Sequence, residues 1–243
     1  MSNARAIECV GVIPARYRSI RFPGKVLESI DGIPMVAHVY KRATASQLDK
    51  VIIATDHAAV QKAMEELNIP VMMTAKGHHS GTERVAEVAE SIGGDIFINI
   101  QGDEPYMDPG IINLLIEQFQ GEPITPMVTV ASTNLSDKDW NNPDIVKVLV
   151  GESGKAIDFF RVPISQTPKD NCFKHLGIYG FKRDFLIEFA GMALSDNEKA
   201  LDLEQMRALD NGIPIEVAIT DLDSAGINRP EDLEKLKERE IIA

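Results

Sequence analysis

The stretch Asp95-Ile96-Phe97-Ile98-Asn99-Ile100 decides the fold, because it is a short and nearly continuous apolar run. Strands of a parallel sheet have this composition when helices cover both faces of the sheet. The run is too short for a helix of ordinary length and is bounded by glycines on both sides. It therefore predicts one buried strand of a mostly parallel sheet.

Working outward, the chain alternates similar strands with helix-like segments from its start to about Gln118. Strands are predicted at Cys9 to Ile13, Val51 to Ala54 and Val71 to Met73, and helices at Pro34 to Ala45, His57 to Leu67 and Thr82 to Ile92, with Thr55 and Asp56 as the cap of the second helix. This rhythm is typical of βαβ units, whose crossovers are almost always right-handed. We expect an α/β fold of Rossmann-like type, with three layers and a mostly parallel open sheet.

The pattern changes after Met127, where strand-like pieces follow one another with fewer helices between them. They lie at Met127 to Ala131, Val146 to Val150, Ala156 to Phe160 and Ile178 to Phe181, and helices resume at Phe185 to Met192, Lys199 to Leu209 and from Pro230. No linker-like segment separates the two parts. We expect a single domain, residues 1–243, with a smaller, partly antiparallel lobe contributed by roughly residues 127–182.

Composition excludes several classes of function. The 243 residues carry a formal net charge of −12, so the surface as a whole should repel nucleic acid and anionic membranes. The two cysteines, Cys9 and Cys172, cannot form the framework of a small secreted domain. No run approaches the roughly 20 apolar residues of a membrane helix, and no signal peptide is indicated. A cytoplasmic protein is expected.

One loop departs from this acidic character. The residues that follow the first strand, Pro14 to Lys25, contain Arg16, Arg18, Arg21 and Lys25. Open α/β sheets bind ligands beyond the carboxyl ends of their strands, and arginine binds phosphate oxygens in bidentate fashion. The loop therefore predicts a polyphosphate site, with a solvated basic turn as the alternative.

Six short motifs carry a resemblance to a known family. They are Ile13-Pro14-Ala15-Arg16-Tyr17 with Arg21-Phe22-Pro23-Gly24-Lys25, Ser80-Gly81-Thr82-Glu83-Arg84, Asn99-Ile100-Gln101-Gly102-Asp103-Glu104-Pro105, His175-Leu176-Gly177-Ile178-Tyr179-Gly180, Leu203-Glu204-Gln205-Met206-Arg207 and Arg229-Pro230-Glu231-Asp232-Leu233. In this order they resemble the signature of CMP-Kdo synthetases, the 3-deoxy-manno-octulosonate (Kdo) cytidylyltransferases. The resemblance spans nearly the whole chain and implies the nucleotidyltransferase fold.

The family resemblance implies that CMP passes from CTP to the anomeric hydroxyl of the sugar acid, with release of pyrophosphate. It implies Mg2+ as cofactor, held by Asp103 and Asn228, and no covalent intermediate. The implied catalytic residues are Arg16, Lys25, Asp103 and Arg161, with Lys147 as a further cation. CTP would be bound by Pro14, Ala15, Arg16, Arg21, Lys25, Ser80, Gly81 and Asp103, and the sugar by Arg84, Gln101, His175, Tyr179, Glu204 and Gln205.

Several of these residues also have a purely structural interpretation. A serine before a helix, such as Ser80, usually only caps it. Arg84 fits a polar helix surface, and an isolated histidine such as His175 is more often structural. Glu204 and Gln205 fit a solvated helix face.

Three positions depart from the family pattern. Asn228 replaces the usual aspartate, which removes one negative charge from the metal site. Leu201 replaces an acidic residue, and Phe160 replaces a small hydroxyl residue. An apolar group in place of a hydroxyl-binding group changes selectivity more readily than reaction type. We therefore hypothesise that the acceptor is Kdo or a modified form such as 8-amino-Kdo.

Three other functions compete with this one. A CMP-sialic-type cytidylyltransferase usually has a glycine-serine-lysine pattern that Tyr17-Arg18-Ser19 does not match. A sugar 1-phosphate nucleotidyltransferase should have a Gly-x-Gly-Thr-Arg loop, which the chain lacks. A non-catalytic nucleotide-binding protein is the third. The resemblance also favours a homodimer formed through the smaller lobe, and a role in lipopolysaccharide biosynthesis.

Overall fold

A computed structural model describes residues 7–17, 22–121, 125–227 and 229–234. In the first part of the chain, strands and helices alternate as expected. The strands are β1 (Cys9–Pro14), β2 (Ser29–Ile30), β3 (Ile33–Pro34), β4 (Lys50–Thr55), β5 (Val71–Met73) and β6 (Ile96–Asn99). The helices are α1 (Met35–Thr44), α2 (Ala58–Glu66), α3 (Gly81–Ser91) and α4 (Pro109–Phe119), and Lys25–Leu27 forms a 3-10 turn.

The second part contains longer strand pairings and shorter helices. Its strands are β7 (Met127–Ser132), β8 (Lys147–Val150), β9 (Ala156–Phe160), β10 (Cys172–Lys182) and β11 (Ile215–Thr220). Its helices are α5 (Asp137–Trp140), α6 (Arg183–Gly191), α7 (Asp196–Leu201) and α8 (Met206–Asp210), and residues 230–234 are also helical.

Within the described residues, one nine-stranded sheet organises the molecule, in the order β11-β7-β10-β6-β1-β4-β5. Strands β6, β1, β4 and β5 pair in parallel, as do β7 and β11, whereas β10 is antiparallel to both of its neighbours. Strands β8 and β9 extend from β10 by antiparallel pairing. The expected α/β class with a mostly parallel open sheet is confirmed.

Two apolar clusters show that the sheet lies between two helical layers. On one face, β1 and β6 residues such as Ile13 and Ile98 pack with α1, α2 and α4. On the other face, Val12 and Phe97 pack with α3 and α6. Adjacent strand residues thus point to opposite layers, which explains why the strands are apolar throughout.

Four local predictions were wrong or incomplete. The helix expected at Lys199 to Leu209 is broken between α7 and α8 by Asp202, whose φ is 53°. Strand β10 begins at Cys172 rather than Ile178, and β11 was not predicted. His57, not Thr55 or Asp56, caps α2, because its side chain accepts a hydrogen bond from the backbone N–H of Ala59. The boundaries of the smaller lobe stay a prediction.

The helices of the described residues are all too short or too polar to cross a lipid bilayer.

Candidate functional site

The carboxyl ends of β1, β4 and β6 meet at one edge of the sheet, where the predicted site begins. The backbone N–H of Ala15 donates to the carbonyl of Ala54 at 2.8 Å, and Thr55 Oγ1 donates to the carbonyl of Ala15 at 2.8 Å. The loop after β6 passes so close that a Cβ on Gly102 would lie 2.7 Å from the carbonyl oxygen of Pro14. A side chain there would push these loops apart, so glycine is required.

The cationic loop returns to this edge and places Lys25 against Asp103. Lys25 Nζ forms a direct ion pair with Asp103 Oδ2 and lies 3.3 Å from the carbonyl of Ile227. The backbone N–H of Ile227 donates to the carbonyl of Asp103 at 2.8 Å. Residues far apart in sequence are thus brought into direct contact.

A stacked pair of rings supports the same loop. Tyr17 lies parallel to His57 with 4.0 Å between ring centroids, and the carbonyl of Tyr17 accepts a hydrogen bond from the backbone N–H of Gly24 at 3.0 Å. The backbone φ of Gly24 is 73°. Glycine adopts this left-handed conformation at little cost. The hydrogen bond between Gly24 and Tyr17 therefore closes the loop immediately before Lys25.

Arg16 lies between the loop after β1 and the loop before α3. Its Nη2 donates to the carbonyl of His79. Burial lowers the pKa of Arg16, and the neighbouring Arg84 lowers it further, whereas Asp56, Glu83 and Glu204 act in the opposite direction. Arg16 thus lies within electrostatic reach of predicted sugar-binding residues. Arg21 lies outside the described residues.

Ser80 and Gly81 form the start of α3, facing Pro14. Ser80 Oγ accepts a hydrogen bond from the backbone N–H of Glu83 at 3.1 Å, so Ser80 is a helix cap. A Cβ on Gly81 would lie 3.4 Å from Pro14 Cγ. The residues predicted to bind cytidine therefore come together, although their binding of CTP stays a prediction.

His175 and Tyr179 lie on β10, on either side of an irregularity in its pairing with β7. Their ring centroids are 5.4 Å apart, and both residues are buried. Burial lowers the pKa of His175 to about 3, so its ring is neutral at pH 7. Thr129 Oγ1 donates its proton to the carbonyl of Ile178 at 2.8 Å and lies 2.9 Å from His175 Nε2. We therefore assign the imidazole proton to Nε2.

Glu204 is the predicted sugar-binding carboxylate, and it faces the buried side of α3. Thr82 Oγ1 donates to Glu204 Oε2 at 2.5 Å, and Asn99 Nδ2 donates to Thr82 Oγ1 at 3.1 Å. Burial raises the pKa of Glu204, while Thr82, Ser80 and Arg207 oppose that rise. Glu204 also raises the pKa of Tyr179, after the larger effect of burial, so these two residues share one neighbourhood.

Several buried polar atoms around this carboxylate lack a hydrogen-bond partner among the described residues. They are Glu204 Oε1, Gln205 Nε2, Asn99 Oδ1 and Arg84 Nε. Buried polar atoms are normally paired, and Gln205 and Asn99 are each only 3% exposed, which leaves little room for bulk water. A polyhydroxylated ligand would have to displace neighbouring side chains to reach these atoms, and would then supply the missing donors and acceptors. Gln101 is different, because its Nε2 donates to the carbonyl of Gly177 at 2.9 Å.

Three cations predicted near the substrates are occupied by protein partners. Arg84 is fully buried, and its Nη2 donates to Asp56 Oδ2 at 3.1 Å, so its interpretation as a surface residue is wrong.

Arg161 donates to the carbonyls of Leu201 and Asp202, each at 3.0 Å, and of Pro143 at 3.3 Å. Lys147 Nζ donates to the carbonyls of Asn142, Ile145 and Arg161 at 2.6 to 2.8 Å. Substrate contact by these groups would require an exchange of partners, and their catalytic roles stay predictions.

Asp103 is the one predicted metal ligand that the structure describes, since Asn228 lies outside the described residues. Its side chain is 22% exposed. Burial raises the pKa of the adjacent Glu104 to about 8, and Glu104 is hydrogen-bonded to Ser224, so it is a poor cation ligand at neutral pH. No group of three or more potential metal ligands clusters among the described residues. One accessible carboxylate fits Mg2+, which takes many of its ligands from substrate phosphates and water.

The two departures inside the smaller lobe and on α7 serve packing. Phe160 lies edge-on to Trp140, with 5.9 Å between ring centroids. Leu201 packs against the apolar cluster between α3, α6 and the sheet.

Two surface clefts lie away from the predicted site residues. Clefts of about 530 and 510 Å³ lie elsewhere, one lined by Phe119, Lys182 and Phe185 and the other by Tyr40, Lys50 and Pro70. None of the predicted site residues lines either cleft.

Sequence reasoning gave no role to Thr82, Asn99 or Arg207, although each stands inside a quoted motif. The sequence offered two signals for these residues: Asn99 is a polar residue at the end of a buried strand, and Thr82 comes shortly after a helix cap. Asp56, predicted as part of a helix cap, instead pairs with the buried Arg84.

Comparison with known families supports the interpretation of the motifs. Residues 10–219 match the family model described as Cytidylyltransferase. A 3-deoxy-manno-octulosonate cytidylyltransferase of Trichlorobacter lovleyi is 41% identical, with 96% of this chain and 98% of the relative covered. That of Pelobacter propionicus is 43% identical, with 94% and 95% covered.

Solved structures of cytidylyltransferases are similar to this chain. CMP:2-keto-3-deoxy-manno-octonic acid synthetase complexed with CTP superposes with a TM-score of 0.90 at 36% identity, covering 96% of this chain and 98% of the other. A cytidylyltransferase from Leptospira borgpetersenii has a TM-score of 0.65 at 15% identity, covering 96% of this chain and 86% of the other, and shares the fold.

Proposed function

Because the chain belongs to the 3-deoxy-manno-octulosonate cytidylyltransferase family, we propose that it transfers CMP from CTP to the anomeric hydroxyl of Kdo and releases pyrophosphate. The observation that carries the proposal is the contact between Lys25 and Asp103 beside Pro14, Ala15 and Arg16. Cations for the phosphates and a carboxylate for a metal ion meet there at one end of the sheet.

In this reaction the cationic loop binds the triphosphate of CTP. Lys25 and Arg16 neutralise phosphate charge, and Arg21 is proposed to do the same. Asp103 and Asn228 would hold Mg2+, which would supply electrostatic stabilisation of the phosphate charge when bound. Pro14, Ala15, Ser80 and Gly81 enclose the cytidine.

The sugar is proposed to bind beside Glu204, where Gln205 Nε2 and Asn99 Oδ1 have no hydrogen-bond partner within the described part of the chain. The neutral His175 and Tyr179 form the wall of this region on β10. The anomeric hydroxyl then attacks the α-phosphorus in line with the leaving pyrophosphate. Catalysis in this scheme consists of positioning and electrostatic stabilisation, because no covalent intermediate is required.

A pyrophosphate-release assay with CTP, Mg2+ and Kdo, with mass detection of the CMP-sugar, tests this function. We expect CMP-Kdo from the native chain and a loss of at least about a hundredfold in kcat/KM for Asp103→Asn. Turnover of a sialic acid or a sugar 1-phosphate in place of Kdo would contradict the proposal. Binding of CTP without turnover of any sugar acid would favour a non-catalytic nucleotide-binding protein.

The identity of the acceptor needs a second comparison. We keep 8-amino-Kdo as the alternative acceptor, because Leu201 and Phe160 depart from the family pattern. Their packing against the apolar cluster and Trp140 gives little support to a reshaped pocket. The ratio of kcat/KM for Kdo and 8-amino-Kdo decides the matter: equal or better use of Kdo removes the alternative.

The assembly and cellular setting are also proposals. The smaller lobe exposes three apolar side chains, Ile157 at 60%, Val162 at 55% and Ile164 at 72%. Exposed apolar groups suit contact with a second copy of the chain. We propose a homodimer formed through this surface. A reaction that consumes CTP places the enzyme in the cytoplasm, where it would supply activated sugar for lipopolysaccharide.

A further inference from the structure

Arg207 is a buried arginine on α8 whose whole guanidinium is bound by neighbouring elements. Its side chain is 2% exposed, and its Nε and Nη2 donate to the two carboxylate oxygens of Glu198 at 2.8 and 2.6 Å. Its Nη1 donates to the carbonyl of Phe189 at 3.0 Å, and the group lies 4.8 Å from the centroid of the Phe189 ring. Such a bidentate pair fixes orientation as well as charge.

Glu198 is itself held in place. It forms a capping box with Ser195 at the start of α7, and its Oε2 accepts a hydrogen bond from the backbone N–H of Ser195 at 3.2 Å. The carbonyl of Glu198 accepts from the backbone N–H of Leu203 at 3.3 Å. The pair of Arg207 and Glu198 therefore joins both helices that flank the turn of residues 202–205.

That turn presents Glu204, and Arg207 reaches it directly. Arg207 Nη2 lies 3.5 Å from Glu204 Oε1, while Glu204 Oε2 is held by Thr82. One nitrogen thus contacts a carboxylate oxygen of Glu198 and one of Glu204. Glu204 Oε1 has this ion-pair contact but no hydrogen bond among the described residues.

The charge of the group formed by Glu198, Glu204 and Arg207 depends on Arg207. Two carboxylates, Glu198 and Glu204, share a single guanidinium in a largely buried place. Burial raises the pKa of Glu204 and Glu198 raises it further, whereas Arg207 lowers it. Without Arg207, Glu204 would retain a proton more readily and would offer one acceptor fewer to a sugar hydroxyl.

We propose that Arg207, clamped by Glu198, is a positioning residue that sets the place and the charge of the Glu204 carboxylate for recognition of the acceptor sugar. The inference rests on the proposed function and deepens it. It assigns Arg207 to the sugar side of the reaction, because Arg207 itself contacts Glu198, Phe189 and Glu204 and none of the residues proposed to bind CTP. A purely structural arginine would instead affect stability and both substrates alike.

The test measures KM for Kdo and KM for CTP separately, in Arg207→Lys, Arg207→Met and Glu198→Gln. We expect KM for Kdo to rise on the order of tenfold in Arg207→Met, less in Arg207→Lys, with KM for CTP nearly unchanged. Arg183→Met is the matched control, since Arg183 Nε donates to the carbonyl of Ala89 at 2.9 Å, away from Glu204. It should lower the melting temperature and leave both KM values unchanged.

A double-mutant cycle with Glu204→Gln isolates the coupling. If Arg207 acts through Glu204, Arg207→Met should raise KM for Kdo by less than about twofold in the Glu204→Gln background. Equal effects in both backgrounds would overturn the inference, as would equal changes in the two KM values. Should Arg207→Met fail to fold, the same cycle with Arg207→Lys and Glu198→Gln decides. Failure of the unaltered protein to form CMP-Kdo would instead contradict the proposed function.

Discussion

At the scale of single residues, the contact of Lys25 with Asp103 has a consequence for metal binding. The predicted metal ligand is neutralised by a lysine as long as no nucleotide draws that lysine away. Both side chains are partly exposed, at 16% and 22%. The pair therefore contributes on the order of 1 kcal/mol or less. Nucleotide and metal ion should consequently bind cooperatively.

Removal of the lysine should separate metal affinity from activity. In Lys25→Met, we expect Mg2+ or Mn2+ to bind a few-fold more tightly without nucleotide, since Asp103 loses its competing partner and a pair of this kind is worth about 1 kcal/mol at most. Turnover should fall at the same time, because a phosphate-binding cation is lost. Titration calorimetry with the metal alone measures the first effect. Lys25→Met with Asp103→Asn is the control and should bind metal no better than the native chain.

His175 should make the stability of the protein depend on pH. Its pKa is about 3 in the folded protein, because of burial, against 6.5 for an ordinary histidine. As pH falls from about 6.5 to about 3, the unfolded chain takes up a proton that the folded chain excludes. The free energy of unfolding should therefore fall by up to about 1.4 kcal/mol per pH unit from this group.

His175→Gln isolates that contribution, because all other titrating groups are common to both proteins. Chemical unfolding at several pH values should show a shallower loss of stability in acid for the variant. Parallel pH profiles for the two proteins would contradict the expectation.

At the scale of elements, β10 depends on its close approach to α4. A Cβ on Gly180 would lie 2.6 Å from Phe119 Cε2 and 3.3 Å from Cζ, and the Phe119 ring is fully buried. A ring held this tightly cannot move aside without disturbing the core. The packing of α4 on the sheet therefore requires glycine at this position.

Gly180→Ala should destabilise the protein by about 1 to 3 kcal/mol, the usual cost of overpacking a core. Thermal or urea unfolding measures it. Gly191→Ala at the end of α6 is the matched control, since a Cβ there meets nothing within 4 Å and should leave stability unchanged or slightly raised. Addition of Phe119→Leu to Gly180→Ala should recover part of the loss; no recovery would place the strain elsewhere.

At the scale of the whole molecule, the exposed apolar residues of the smaller lobe should determine its association state. Ile157→Lys combined with Ile164→Lys should shift a dimer towards monomer, because each lysine would have to lose its water in the interface. Sedimentation equilibrium over a range of concentrations measures this shift. Leu194→Lys is the control, as Leu194 is 51% exposed outside the lobe. An unchanged dimer in the double variant would place the interface on another surface.

The sequence alone determined the class of the fold, and it predicted which residues form the site. Apolar runs such as Val51 to Ala54 marked the buried strands, since a strand covered on both faces must be apolar throughout. The six motifs named the residues that converge, including Lys25 and Asp103.

The tertiary structure alone decided how those residues pair. The antiparallel position of β10 between β6 and β7 depends on long-range pairing that leaves no local signal. The helix breaks at Asp202, where Arg161 donates to the carbonyls of Leu201 and Asp202, and these long-range partners are not visible in the local sequence. Arg84 was expected at the sugar, yet burial beside Asp56 gives it a protein partner. Local sequence sets propensity, whereas burial and partners are properties of the packed molecule.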